Sequence, residues 1–112
     1  MKKIEAIIRP TKVGDVCDAL NKAGHPGIMI TEIEGHGKQS GIEQEFRGKT
    51  YKVELLTKAK IEIVAKNADV DKIIKVIRDA ALTGKVGDGK IFIYPIDDAI
   101  RIRTAESGDA AI

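Results

Sequence analysis

The chain has 112 residues, 43% hydrophobic and 32% charged, which is enough for one domain with one core and ordinary for a soluble globular protein. A formal net charge of +2 argues against a general polyanion binder, and a single cysteine, Cys17, excludes an internal disulfide and a disulfide framework for export. The opening MKKIEAIIRP carries only a short apolar piece broken by Glu5 and Arg9, and no later stretch approaches a membrane span, so neither signal peptide nor anchor is expected and a cytoplasmic domain is.

Taken in chain order, Ile4, Ala6 and Ile8 face one way with Lys3, Glu5 and Arg9 opposite, the alternation of a half-buried strand. After Pro10 and Thr11, Val13, Val16, Cys17 and Leu20 recur at i, i+3, i+4, i+7, one face of a helix that Gly24 ends. The turn His25-Pro26-Gly27 leads into IMITEIEG, a second strand. From Lys60 the pattern repeats: KIEIVA alternates Ile61, Ile63 and Ala65 against Glu62 and Val64. A helix follows with Val70, Ile73, Ile74 and Ile77 on one face, Asp71 near its start and Gly84 just past its end. IFIY, closed by Pro95, makes the last strand of this pattern. Two strand–helix–strand units in series predict an α+β, ferredoxin-like β-α-β-β-α-β domain with an antiparallel sheet, helices on one face and the other face in need of cover. With few aromatics to shield that face, self-association is expected.

Between the second and third of these strands lies HGKQSGIEQEFRGKTYKVEL, polar and punctuated by glycines. Connections longer than about 12–15 residues in compact domains are usually functional or disordered. Part of it, EFRGKTYKVE, suits a hairpin across Gly48-Lys49.

The stretch TGKVGDGKIF reads G-x-x-x-x-G-K from Gly84, a phosphate-binding P-loop up to its last position, where Ile91 replaces the Ser or Thr that would hold magnesium. The context is also reversed, since a P-loop runs from strand into helix and this one leaves a helix near Thr83-Gly84 to enter a strand near Lys90. Gly84, Gly87 and Gly89 still permit a backbone curled into an anion nest with Lys90 at its rim, although an ordinary turn explains them too. In IRIRT, Arg101 and Arg103 stand two apart, so an extended chain would point both guanidiniums to one side, a pairing suited to phosphate and also to a solvated edge. GHGKQSG adds Gly35, Gly37 and Gly41, where backbone can approach a ligand. Together these segments point to a polyanion.

TGKVGDGKIF, IRIRT, GHGKQSG and RGKTY, in register over essentially the whole chain to the terminal DAAI, resemble the PII nitrogen-regulatory signalling proteins. The resemblance implies one PII domain over residues 1–112, with a T-loop at about 37–55, a phosphate-binding loop at about 82–90 and a C-terminal segment at about 97–112. It further implies a homotrimer with nucleotide sites in the clefts between neighbours, sensing ATP, ADP and 2-oxoglutarate. Gly87, Asp88, Gly89 and Lys90 would hold phosphates on one subunit, and Arg101 and Arg103 would reach them from the next. Gly37 and Lys38 would line the cleft, the backbone at Val64 would meet adenine, and Gln39 would turn its side-chain oxygen to Mg²⁺. Arg9 and Lys58 would pair the far carboxylate of 2-oxoglutarate, with Gln39 and Gly87 also at that ligand. Arg47 resembles the T-loop arginine that plugs an ammonium transporter, and Tyr51 the tyrosine that some bacterial members carry for nucleotidylation. Glutamine synthetase is a further partner that the family uses. Met29 stands where members often have a threonine contacting the adenine amino group, Thr57 replaces a common proline, and Thr50 a common acidic residue.

Other functions fare less well on the residues. Cys17 lies on an apolar helix face, as a buried thiol does, and neither His25 nor His36 has a visible Asp or Ser partner. A small phosphate-hydrolysing enzyme using the glycine loop and arginine pair as a clamp remains the alternative, without a nucleophile or base to name; the chain is expected not to be an enzyme. An RNA-binding module of this topology would show stacking aromatics on its third strand, and KIEIVA has none, so no nucleic-acid partner is expected.

Overall fold

A computed structural model describes the backbone of residues 1–36, 42–46, 49–53 and 55–112 and the side chains of residues 1–34 and 57–112. Its elements are β1 (Lys2–Ile8), α1 (Val13–Lys22), β2 (Met29–His36), β3 (Ile42–Phe46), β4 (Lys49–Val53), β5 (Leu55–Ala65), α2 (Val70–Ala81) and β6 (Lys90–Pro95). Short 3₁₀ turns precede both helices and close the chain. Strands β2, β5, β1 and β6 lie in that order in one sheet, every neighbour antiparallel, which is the ferredoxin-like arrangement.

The core follows from the two periodicities. Ile4, Ala6 and Ile8 of β1 and Ala59, Ile61, Ile63 and Ala65 of β5 are buried on one sheet face. Val16 and Leu20 of α1 and Val70, Ile73, Ile77 and Ala81 of α2 pack onto them. At ~25 cal/mol per Å² of apolar surface, burying each such large side chain contributes ~1.5–3 kcal/mol before entropy is charged against it. Cys17 is half-buried beside this core, and burial first, then the Asp18 charge, pushes its thiol pKa up, so it is no ready nucleophile.

Three boundaries differ from the sequence expectation. β5 begins at Leu55 rather than Lys60, because its first residues pair with β2 alone (His36 opposite Leu55), and β1 reaches only Ala59–Ala65. α2 ends at Ala81, where Leu82 turns extended, so Gly84 belongs to the following loop and does not cap the helix. The hairpin is present, but Phe46 pairs with Lys49, which centres its connection on residues 47–48 instead of 48–49.

The face opposite the helices carries Lys3, Glu5, Lys60 and Glu62 as a linked charge row, with Lys3–Glu62 at 3.2 Å, Lys60–Glu62 at 3.6 Å and Lys60–Glu5 at 3.7 Å. Beside it Phe92 and Tyr94 of β6 and Met29 of β2 stand about half exposed. Lys3 Nζ sits 4.6 Å from the Tyr94 ring centroid, a cation–π contact. Among the described residues no helix is long and apolar enough to cross a membrane.

Candidate anion-binding site

The loop between α2 and β6 is folded back on itself. Gly84, Gly87 and Gly89 take positive φ of 84°, 105° and 96°. Gly89 lies so close to the end of β1 that a Cβ there would stand 1.7 Å from the Ile7 carbonyl oxygen. Only a residue without a side chain can make that approach, and it presses the loop against the strand that delivers Arg9.

Asp88 closes the loop. Its Oδ2 accepts the N–H groups of Thr83 and Gly84, each at 2.9 Å, and its Oδ1 accepts the Thr83 hydroxyl and, at 3.2 Å, Arg9 Nε. These donors, the Thr83 hydroxyl foremost, hold the carboxyl far below the ordinary carboxylate range. The resemblance implies Asp88 among the phosphate holders; its side chain is turned back into the loop, so its backbone N–H is the group left for that role. Thr83, for which no role is expected from the sequence, is its main partner. A threonine opening a glycine-rich turn that holds an aspartate five residues later was the available signal.

Two cations reach the loop from the sheet. Arg9 Nη2 donates to the Val86 carbonyl at 2.9 Å, and Lys58 Nζ donates to the Gly87 carbonyl at 2.7 Å. Burial lowers the Lys58 pKa, the Arg9 charge acts in the same direction, and Asp88 offsets part of both. Lys90, exposed at the start of β6, is paired in the ladder with Ile7. The N–H groups of Gly87 and Asp88 have no acceptor among the described residues. Arg9, Lys58, Gly87, Asp88, Gly89 and Lys90 are thus gathered at one end of the sheet, and the arrangement can take an acceptor-rich anion on backbone N–H groups and ammonium or guanidinium donors. Gly37, Lys38, Gln39 and Arg47 lie outside the described residues, and Tyr51 is described only as a backbone position of β4.

The remaining expected site residues are elsewhere. Val64 stands six positions from Lys58 along β5, roughly 20 Å at the usual rise per residue. There it lines a cavity of about 570 Å³ together with Gly27, Met29, Ala65, Lys66 and the terminal Ile112. Met29, one of the departures from the family pattern, lines the same cavity as Val64. Arg101 and Arg103 follow the far end of β6, whose Pro95 pairs with Lys2 while its Lys90 pairs with Ile7. Their expected extended geometry is not found. Residues 102–104 form a turn: Arg101 N–H donates to the Glu106 carbonyl at 2.8 Å, Ala105 N–H to the Arg101 carbonyl at 2.8 Å, and Ala105 has φ of 59°. Glu106 drives this turn, accepting the Thr104 hydroxyl at 2.8 Å and Arg101 Nη1 at 3.2 Å. Residues two apart point to one side only in a strand, and here a local side-chain network imposes a turn instead.

A family model described as nitrogen regulatory protein P-II matches residues 1–106. Nitrogen regulatory protein P-II 2 of Methanothermobacter thermautotrophicus is 50% identical over 112 residues, covering 100% of this chain and 97% of that protein. Nitrogen regulatory protein P-II of Rhodospirillum rubrum is 52% identical, with 100% of both chains covered. Among solved structures, Arabidopsis thaliana PII bound to citrate superposes with a TM-score of 0.82 at 38% identity, covering 99% of this chain and 91% of that one. A full-length match to the family model, relatives at half identity end to end, and a shared fold together show that the chain belongs to the nitrogen regulatory protein P-II family of signalling regulators.

Proposed function

We propose that the protein is a trimeric, cytoplasmic nitrogen-status sensor that binds ATP or ADP and, with Mg-ATP, 2-oxoglutarate, and that acts through its T-loop on an ammonium transporter, with glutamine synthetase as a further target. The observation that carries this reading is the closed loop 83–89 with Lys58 and Arg9 on its carbonyls and Lys90 at its edge. Phosphates are taken by Gly87, the backbone of Asp88, Gly89 and Lys90, with Arg101 and Arg103 reaching them from a neighbouring copy, and adenine is met at Val64 beside Met29. A small dicarboxylate suits Lys58 and Arg9, which already reach the same loop, and citrate on the Arabidopsis relative supports carboxylate recognition in this fold.

Magnesium prefers oxygen ligands and commonly shares them with phosphates, which suits the amide oxygen of Gln39 as its protein ligand. The metal would neutralise charge between two anions that otherwise repel. The site is composite. Lys58 and the loop lie at one end of the sheet and Val64 and the arginines beyond the other, so one nucleotide is completed by two copies of the chain.

A calorimetric titration of 2-oxoglutarate, with and without Mg-ATP, tests the reading. Binding only in the presence of Mg-ATP is the expected result. Absence of binding in both cases would reduce the protein to a nucleotide-only sensor, and turnover of ATP or an acyl phosphate would favour the hydrolase.

A further inference from the structure

We infer that Asp88 is a positioning residue that preforms the phosphate loop, and that its carboxylate does not touch the anion the loop receives. The inference rests on the proposal that the loop takes phosphates. A carboxylate is an acceptor without donors, and so is a phosphate oxygen, so the two can only repel each other across the site. The side chain faces the other way. Both of its oxygens are used, Oδ2 by the N–H groups of Thr83 and Gly84 and Oδ1 by the Thr83 hydroxyl and Arg9 Nε.

The consequence is geometric. The start of the loop is tied to its end, and the strand that brings Arg9 is tied to both, because Arg9 also holds the Val86 carbonyl. Lys85 N–H is bound by the Thr83 hydroxyl oxygen at 3.2 Å, so the same threonine orders the loop's ascending side. With the loop closed this way, the Gly87 and Asp88 amides are left for an incoming anion and Gly87 and Gly89 keep their positive φ. A site ordered before binding loses less entropy when the ligand arrives.

Electrostatics and positioning predict opposite signs for one substitution. Asp88→Asn removes a negative charge near a polyanion, which by Coulomb attraction alone would tighten ATP binding. It also replaces one acceptor oxygen by an NH₂, which faces the N–H donors of Thr83 and Gly84 in one orientation and Arg9 Nε in the other, so that at least one tie of the loop is lost either way. We expect Asp88→Asn to weaken ATP binding about tenfold or more in calorimetry, the scale on which losing hydrogen bonds to a charged group is felt. Thr83→Val should weaken it in the same direction, whereas Thr83→Ser, which keeps the hydroxyl, should stay within about twofold of wild type.

A thermal melt of each variant shows whether it folds, and if Asp88→Asn does not, the Thr83→Val and Thr83→Ser pair decides. Wild-type binding of ATP with equal or tighter binding by Asp88→Asn would overturn the positioning role alone. So would equal binding by the two Thr83 variants. Failure of the wild type to bind ATP would instead remove the nucleotide reading on which the role depends.

Discussion

At the scale of single residues, Gly89 carries the sharpest steric constraint in the candidate site. Its φ of 96° is strained for any residue with a Cβ, and the Ile7 carbonyl occupies the place a Cβ would take. That obstacle is backbone at the end of β1, so it cannot swing aside as a side-chain tip would. Gly89→Ala should therefore cost about 1–3 kcal/mol of stability or more, read as a lower denaturant midpoint. ATP binding should fall with it, because the loop can relieve the clash only by leaving β1, Arg9 and Lys58. A variant with the wild-type midpoint and wild-type ATP affinity would show that the close approach has no role. The glycine itself was legible in the sequence as a member of TGKVGDGK. That it is needed for an approach to Ile7, and not merely for a turn, was not, since the partner lies eighty-two positions away and is a backbone atom.

At the scale of elements, helices and central strands were legible because burial imposes their period. Val16, Leu20, Ile73 and Ile77 fall where a 3.6-residue repeat puts them, and Ile61, Ile63 and Ala65 where a two-residue repeat does. The exposed connections are governed by side-chain hydrogen bonds that have no period, and there the expectation differs from the structure: at the Arg101–Glu106 turn and at the end of α2. The loop 83–89 is such an element, and its Asp88 network gives it a pH signature. The folded carboxyl titrates well below its unfolded value of ~3.9, so the stability it contributes is fully present above that value. It is lost only as pH falls through the depressed folded value. The amide resonances of Thr83 and Gly84, whose N–H groups the carboxylate accepts, should therefore stay level from about pH 6 to about pH 3 and move only in stronger acid. An inflection near pH 4 at those two amides would mean that the carboxylate is not held as the structure has it.

At the scale of the whole molecule, two features that the sequence separated turn out to require the same thing. Both helices cover one face of the sheet, leaving Phe92 45%, Tyr94 42% and Met29 55% exposed around a charge row that is itself largely shielded. Exposed aromatic side chains in such a setting are the usual mark of an interface core, and the paired charges beside them can be buried without leaving an uncompensated ion. The candidate site is divided in the same sense, with the anion loop at one end of β6 and the arginines beyond the other. A neighbouring copy seated on the open face answers both needs, and a ring of three is the closed assembly proposed. Wild-type protein should then sediment at about three times the 12.1 kDa of the chain. Phe92→Asp places a carboxylate opposite Glu5, its cross-strand partner, and should shift the protein toward single chains, with ATP affinity falling together with assembly. On the proposed composite site the two losses are linked, because a single chain would offer only half of it. A dissociated Phe92→Asp protein that bound ATP as the wild type does would separate assembly from nucleotide binding, and with it would go the composite site.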